Sequence, residues 1–530
     1  MTPSSSTKRP SGAFAPLAQP VFAVLWAATV LGNTGSFMRD VASAWLMTDL
    51  SGAPAAVAMV QAAATLPIFL LAIPAGVLTD ILDRRKLLIF IQLLLASVSL
   101  TLMILTSTGQ MSVIKLIAAT FVGGIGAALM GPTWQAIVPE LVAKTDIKSA
   151  VALNSLGINI SRAIGPALGG ILLAAFGAGL TYGVDVATYG FVIAALLWWK
   201  RPAMSHSHLS ESFGGAFRAG LRYVKSSRPL HRVLIRSFIF YLFASALWAL
   251  LPLVARTQLM GDAGFYGLLL GAVGVGAIGG AIALPRLRLL LNPDGLVLAA
   301  ALISAAAMAV LSLTSLKALA LGLGLLTGGA WITALTTLNS VAQGVLPNWV
   351  RGRALAVYVM VFNGAMTLGS LSWGVLATHV GIGSALLVAA TGLILTAFAF
   401  HHFKLPSTEA DLTPSVHWPE PAGPDYADTH RGPVMILIEY QIAEADRSSF
   451  LAAIRRLSDE RRRDGATAWG ITEDSHYPEA IVEWFLVDSW AEHLRQHQRV
   501  SKADADLQAE VHRFHQGTKA PKVRHLINLP

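Results

Sequence analysis

The chain has 530 residues, of which 54% are hydrophobic and only 13% charged, where soluble domains carry about 25% charged residues. The net charge of +9 comes without a basic face interleaved with aromatics, which argues against nucleic acid as a partner. No cysteine is present, which excludes disulfides, thiolate metal sites and cysteine nucleophiles.

Residues 1–17 form a polar, Pro/Ser-rich tail with Lys8 and Arg9. The long apolar run that follows has no small-residue cleavage site, so it reads as an uncleaved first span. A bilayer core about 30 Å thick needs roughly 20 apolar residues per helix. Twelve segments meet or approach that length, near 20–47, 54–79, 86–107, 113–133, 151–176, 180–199, 231–254, 264–285, 296–315, 318–340, 354–378 and 382–403. Alternate loops collect Lys and Arg: Arg84, Arg85 and Lys86; Lys144 and Lys148; Lys200 to Arg228; Arg286 and Arg288; Arg351 and Arg353. The positive-inside rule makes these loops and both termini cytoplasmic. Trp198 and Trp199 beside Lys200 read as interface anchors.

The expected organisation is a tail (1–17), a six-helix bundle (18–199), a cytoplasmic amphipathic linker (200–230) and a second six-helix bundle (231–403). A Pro-rich linker (404–433) and a cytoplasmic ferredoxin-like domain (434–530) follow. The first linker carries Phe213, Phe217, Leu221 and Val224 at helical spacing, with Arg218, Arg222 and Lys225 between them. That pattern fits either a helix on the inner membrane surface or a basic linker that stabilises topology. The fold class is therefore an all-α membrane protein of twelve helices in two parallel repeats, plus a small α+β domain.

The repeat rests on three ordered matches. Gly76 to Arg84 corresponds to Gly280 to Arg288, Gln135 to Pro139 corresponds to Gln343 to Pro347, and Gly165 and Gly170 correspond to Gly369 and Gly374. Parallel six-span halves describe a transporter that rocks two bundles around a midplane site. A channel would concentrate its signals in one pore loop.

With these residues in view, positions 18–403 resemble the major facilitator superfamily. The loop Gly76-x-x-x-Asp80-x-x-Asp83-Arg84-Arg85-Lys86 resembles its signature between spans two and three, with Ile81 where an arginine is usual and Asp83 where a glycine is usual. The resemblance implies a gating role for Gly76, Asp80, Asp83, Arg84, Arg85 and Lys86, latching against the neighbouring half. Gly165-Pro166-Ala-Leu-Gly169-Gly170 resembles the antiporter motif of the superfamily's exporters, where small residues let helices approach and the proline bends the span. Its upstream glycines are replaced by Asn154 and Ser161. The stretch Gly35 to Leu46, continuing through Val60 to Pro67, is similar to the transmembrane secretion effector branch, which implies efflux.

A charge near a helix centre costs about 2.5–3.5 kcal/mol and so faces a cavity or a partner. Arg162, about twelve residues into span five, is the candidate to hold an anionic substrate group, against the alternative of a structural clamp. Asp40 is the leading candidate for proton coupling, supported by resemblance to exporters with an acid in this span. If it lies at the outer rim it is an ordinary interfacial charge. Arg39 points about 100° away from it. Asp185 is the second proton-coupling candidate, expected near the outer face with water access from outside and too high to pair with Arg162. Asn33, Gln61, Gln135, Asn154, Asn159, Asn339 and Asn363 are candidate substrate amides or helix–helix glue, and Tyr241 and Trp331 are candidate aromatic contacts.

The C-terminal region reads βαββαβ, with Val434 to Gln441 as the first strand and Asp446 capping a helix. It resembles small dimeric α+β barrels of the antibiotic-biosynthesis monooxygenase type, which implies a homodimer. A dimerisation or regulatory module is expected, not an enzyme. His493 and His497 lie four apart, a spacing that can ligate metal, but no third ligand is evident and a surface pair is the plainer reading. Trp469, Trp484 and Trp490 are expected in the core or at a dimer contact. The sequence thus predicts a multi-pass transporter of the bacterial inner membrane, exporting a small siderophore-like or drug-like molecule in exchange for protons, with no cofactor and no metal. The alternatives are a metal-ion exporter, a non-transporting sensor, and a membrane-anchored enzyme that uses the C-terminal domain.

Overall fold

The computed structural model describes residues 12, 14–200, 213–347, 349–406, 415 and 431–528, the side chains at 77, 80, 213–219 and 498 set aside. The expected tail at 1–17 and the Pro-rich linker at 404–433 fall largely outside the described residues, as does the start of the 200–230 linker. The chain divides into two compact units, the first drawn from 1–206, 234–339 and 358–404, the second from 207–233, 340–357 and 405–530.

The helices are α1 (Pro20–Leu50), α2 (Pro54–Ile81), α3 (Arg84–Ser107), α4 (Val113–Ile137), α5 (Ile147–Trp198), α6 (Phe213–Ser226), α7 (Arg228–Leu253), α8 (Ala263–Leu290), α9 (Pro293–Leu311), α10 (Lys317–Gly344), α11 (Arg351–Val380) and α12 (Ile382–Ala399). Among the described residues eleven helices, all of these but α6, are long and apolar enough to cross a membrane. The sequence predicts twelve runs, and the difference lies in α5. That element runs for 52 residues, enough for two crossings rather than one. Gly177 interrupts it at φ 79° and ψ 174°, a conformation open to glycine. The arms on either side, 147–176 and 178–198, each suffice for one crossing.

Polar N-caps start several of these helices: Asp83 accepts from Lys86 N for α3, Asp262 from Phe265 N for α8, and Asn292 from Gly295 N for α9. Phe22, Leu25, Leu88, Ile91, Ile137 and Leu196 pack into one core of the first unit. Trp199 belongs to that core at 4% exposure, while Trp198 is 55% exposed. Only Trp198 is therefore placed as an anchor, because consecutive helical side chains diverge by about 100°.

The second unit contains β1 (Val434–Gln441), α13 (Arg447–Asp464), β2 (Ala468–Glu473), β3 (Ala480–Val487), α14 (Trp490–Arg499), α15 (Lys502–His512) and β4 (Lys522–Ile527). The strands form one antiparallel sheet in the order β2-β3-β1-β4, with Ile436 opposite both Phe485 and His525. Alternate residues Val434, Ile436, Ile438 and Tyr440 face Phe450, Ile454, Leu457 and Trp490 in a closed apolar core. The period of two that marks β1 in the sequence is the physical cause of this one-sided burial. A capping box at Ser501 and Asp504 starts α15.

Candidate functional site

Helices α1, α3 and the second arm of α5 converge on one buried carboxylate. Asp185 is 0% exposed. It accepts a hydrogen bond from Ser99 Oγ at 2.6 Å and faces Arg39 Nη1 at 3.6 Å. Arg39 also donates to Tyr189 Oη at 2.9 Å, and Tyr189 shares a 2.9 Å hydrogen bond with Ser36. Gly35, one turn before Arg39, is what lets α5 approach, since a side chain there would collide with Asp185 and Thr188. The expectation that Asp185 opens to water from outside is corrected by this enclosure. Asp40 lies on the other side of α1, 61% exposed at its side chain and paired with Arg39 at 3.0 Å. The divergence between Arg39 and Asp40 follows from the helical step, but it is Arg39 that turns inward. Sequence reasoning missed its role; Gly35 spaced four residues before it was the available signal.

Arg162 sits midway along the first arm of α5, between Ile147 and Gly177, and is half-buried. Among the described residues it forms no ion pair or hydrogen bond. By contrast, Arg39 has Asp185, Arg236 has Asp294 at 3.5 Å, and Arg256 has Asp49.

The amide candidates separate. Asn154 accepts from Trp134 Nε1 at 2.7 Å, which ties α5 to α4. Asn363 is buried and donates to Val359 O of its own helix. Gln135 is exposed, whereas Asn33, Gln61, Asn159 and Asn339 are half-buried.

A seam joins the two sets of helices where α1 ends and α2 begins. Gly170 of α5 and Gly267 of α8 approach so closely that neither has room for a Cβ, and Gly274 of α8 meets Ala163 of α5. Trp45 stacks on Tyr266 at 5.7 Å, Arg256 donates to Thr48 Oγ1 at 2.8 Å, and Thr65 and Thr367 share a 2.7 Å hydrogen bond between α2 and α11. The glycines matched in sequence make matched contacts. Gly165 packs on Phe37 of α1 as Gly369 packs on Leu242 of α7, and Gly170 meets α8 as Gly374 meets Ala58 of α2. Gly169 completes the motif against Met38, and Pro166 is buried.

This architecture meets its counterpart in the sequence comparisons: the profile described as transmembrane secretion effector matches residues 11–530. The chain belongs to that family. Similar members include the staphyloferrin A transporter of Staphylococcus aureus, 23% identical over 69% of this chain and 92% of its own. The multidrug efflux pump Tap of Mycolicibacterium fortuitum is 24% identical over 71% and 93%. The solved nucleoside transporter NupG superposes with a TM-score of 0.59 at 11% identity, covering 72% of this chain and 98% of its own. A bacterial Spinster homologue in an inward-facing conformation gives 0.55 at 14% identity over 72% and 95%. Family and fold are those of major facilitator transporters, multi-pass proteins of the membrane.

Among the described residues, the basic side chains of the loop expected to latch onto the neighbouring half tie together ends within the first set of helices. Arg84 pairs with Glu140 at 2.6 Å, and Arg85 donates to the carbonyls of Leu196 and Leu197 at 2.8 and 2.9 Å. Lys86 is exposed, Gly76 has open space beside it, and the side chain of Asp80 lies outside the described residues. Among α7, α10 and α11 the buried cluster is aromatic. Trp331 has Trp248 at 5.1 Å, Tyr241 at 5.4 Å and Phe362 at 6.4 Å, and Tyr241 meets Phe362 at 4.4 Å.

In the second unit, α6 and the α10–α11 turn are held by the α+β domain. Arg222 reaches Asp488 at 2.9 Å and Glu492 at 3.6 Å, and Arg228 reaches Asp459 at 3.3 Å. Tyr223 donates to Val345 O at 2.9 Å, and Arg499 lies 4.3 Å over the Trp349 ring. Of the face expected on a membrane surface, Leu221 is 43% exposed and Val224 half-buried, and the side chains of Phe213, Phe217 and Arg218 lie outside the described residues, while Tyr223 is 2% exposed. Arg222 meets carboxylates of its own chain.

The expected surface pair of histidines is also corrected. His493 is 1% exposed, with its Nε2 3.2 Å from that of His497 and the His525 ring 4.7 Å away. Burial, with the two neighbouring imidazoles, pushes His493 down to about 3, so it is neutral at physiological pH. The described residues gather no group of three ligands suited to a metal ion. Trp490 lies in the core, Trp469 donates to the buried Glu483 at 2.9 Å, and Trp484 covers Gly470.

Proposed function

We propose that this secretion effector exports a small siderophore-like or drug-like organic molecule in exchange for protons, by alternating access between two six-helix halves. The buried Asp185–Arg39 pair carries this reading. A carboxylate enclosed among α1, α3 and α5 can hold a proton, and Arg39 can neutralise it when the proton leaves. That is the chemistry an antiporter needs in one compartment-switching element. Asp40, exposed but sharing Arg39, is an entry point for the proton. The efflux assigned by name to the relatives of the family supports the direction.

Counting the two arms of α5 separately gives twelve crossings, and the positive-inside pattern places both termini in the cytoplasm. The glycine seam then closes the outer side, and the site opens inward. Arg162, Asn33, Gln61, Asn159, Asn339 and Trp331 are the proposed substrate contacts, Tyr241 being fully enclosed by its neighbours, with Gly165, Pro166, Gly169 and Gly170 as gating elements. The α+β domain is a regulatory or dimerising module rather than an enzyme, and its grip on α6 and the α10–α11 turn favours regulation.

Everted membrane vesicles with an imposed pH gradient test the reading with a panel of siderophore-like and drug-like solutes. Gradient-dependent accumulation that disappears in Asp185→Asn is the expected result. Undiminished gradient-driven transport in that variant removes Asp185 from the mechanism.

A further inference from the structure

Arg162 and the aromatic cluster around Trp331 ask for opposite ends of one ligand. Arg162 is a permanent cation at mid-span with no partner among the described residues, and its guanidinium fits a planar anion in a two-pronged hydrogen bond. Three other arginines of the crossings, Arg39, Arg236 and Arg256, are each matched by a carboxylate.

The cluster is apolar but unfinished. Trp331, Trp248 and Phe362 remain partly exposed. The indole nitrogen of Trp248 is buried without an acceptor. A buried donor left unmatched costs free energy until an acceptor reaches it.

Both flank the same helix. Ala163, next to Arg162, packs on Gly274 of α8, while Gly329 of α10, two residues before Trp331, packs on Gly280, six residues or about 9 Å further along α8.

We infer that the site takes an aromatic organic anion, its carboxylate, sulfonate or phenolate on Arg162 and its ring plane against Trp331. The inference rests on the transporter reading for the site's role and adds the ligand class. It also explains why the arginine is left unmatched: a resident carboxylate would compete with the cargo.

Equilibrium binding to the full-length protein in lipid nanodiscs, with no gradient, tests the ligand class apart from transport. The probes are 1-naphthoate, cyclohexanecarboxylate, which keeps the anion and loses the aromatic ring, and 1-naphthylmethylammonium, which keeps the rings and reverses the charge. The expected result is that 1-naphthoate binds about tenfold or more tightly than either of the others. Arg162→Gln should lose about tenfold for 1-naphthoate, and Arg162→Lys, which keeps the charge but not the two-pronged geometry, should fall between that variant and the native protein and report an intact fold. Trp331→Ala should weaken 1-naphthoate and leave cyclohexanecarboxylate unchanged. Equal or tighter binding of the ammonium probe, or an unaltered 1-naphthoate affinity in Arg162→Gln, overturns the inference. Binding as expected without gradient-driven flux would instead remove the transport reading and keep the ligand class.

Discussion

Between α1, α3 and α5 the buried polar contact is ionic, Arg39 against Asp185 with Ser99 and Tyr189 around them. Among α7, α10 and α11 it is aromatic, with Trp331 in the middle of Trp248, Tyr241 and Phe362. The later helices do bury an ion pair, but Arg236 and Asp294 lie near the starts of α7 and α9, and Arg236 is further held by the Phe400 carbonyl at 2.8 Å. Two sets of helices that share matched glycine contacts have therefore diverged in what they enclose. Packing at the seam keeps its geometry while the interior polar groups specialise, one side for charge and the other for flat apolar surface.

Separating the two roles is the sharpest way to break this comparison. Asp185→Asn should abolish gradient-driven flux to background while leaving equilibrium binding of 1-naphthoate intact; Trp331→Ala should weaken 1-naphthoate binding and, with it, transport of aromatic solutes. Loss of 1-naphthoate binding in Asp185→Asn would merge the two regions into one site. Next in size, Arg39→Ala leaves a buried carboxylate uncompensated, a change that typically costs about 3–5 kcal/mol. The thermal stability of the purified protein should fall, and Arg39→Ala with Asp185→Ala should regain most of it. No recovery would mean that the two side chains do not act as a pair.

Gly170→Val should prevent the seam from closing, because a side chain at this position meets the Gly267 backbone. With no native cysteine, a single thiol introduced at Thr48 reports the change directly. Its labelling by an impermeant reagent should rise in the Gly170→Val background, and unchanged labelling would discount the seam. In the α+β domain, burial pushes Glu460 up to about 9 and Asp464 up to about 7. Both folded values exceed the unfolded ones, so these groups favour the folded state at low pH and withdraw that support as pH rises. His493, pushed down to about 3, acts oppositely but only below its unfolded value near 6.5. Hydrogen-exchange protection of α13 should therefore decline from pH 6.5 to 9, and a flat profile would contradict the burial of the two carboxyls. The smallest effect belongs to the exposed end of the clamp. Arg222→Glu should loosen α6 by about 0.2–1 kcal/mol, with Asp488→Arg restoring its exchange protection in the double variant.

Much of this is legible in the sequence because long apolar runs and a two-residue strand period are local signals. The crossings, the glycine correspondences and the span of β1 all come from such patterns. The boundary that the sequence places between two spans falls where Gly177 leaves helical geometry, at φ 79° and ψ 174°. Partnerships are harder. That Arg39 rather than Asp40 turns inward depends on which face of α1 meets α5, and α1 is apolar nearly all round. The grip on Arg222 is invisible for a similar reason: a basic helix fits a lipid surface or a set of carboxylates equally well, and only tertiary placement decides.

The meeting of Gly170 with Gly267 has a further consequence. Two bare backbones in apposition have no rotamers to reorganise when they part, so separating them releases little side-chain entropy and needs no repacking. On the proposed orientation the outer gate is in that sense a pair of smooth faces, and its resistance to opening can be graded by volume. A single methyl at either position would act as a shim, shifting the resting balance toward the outward-facing form without touching a charge or a cargo contact.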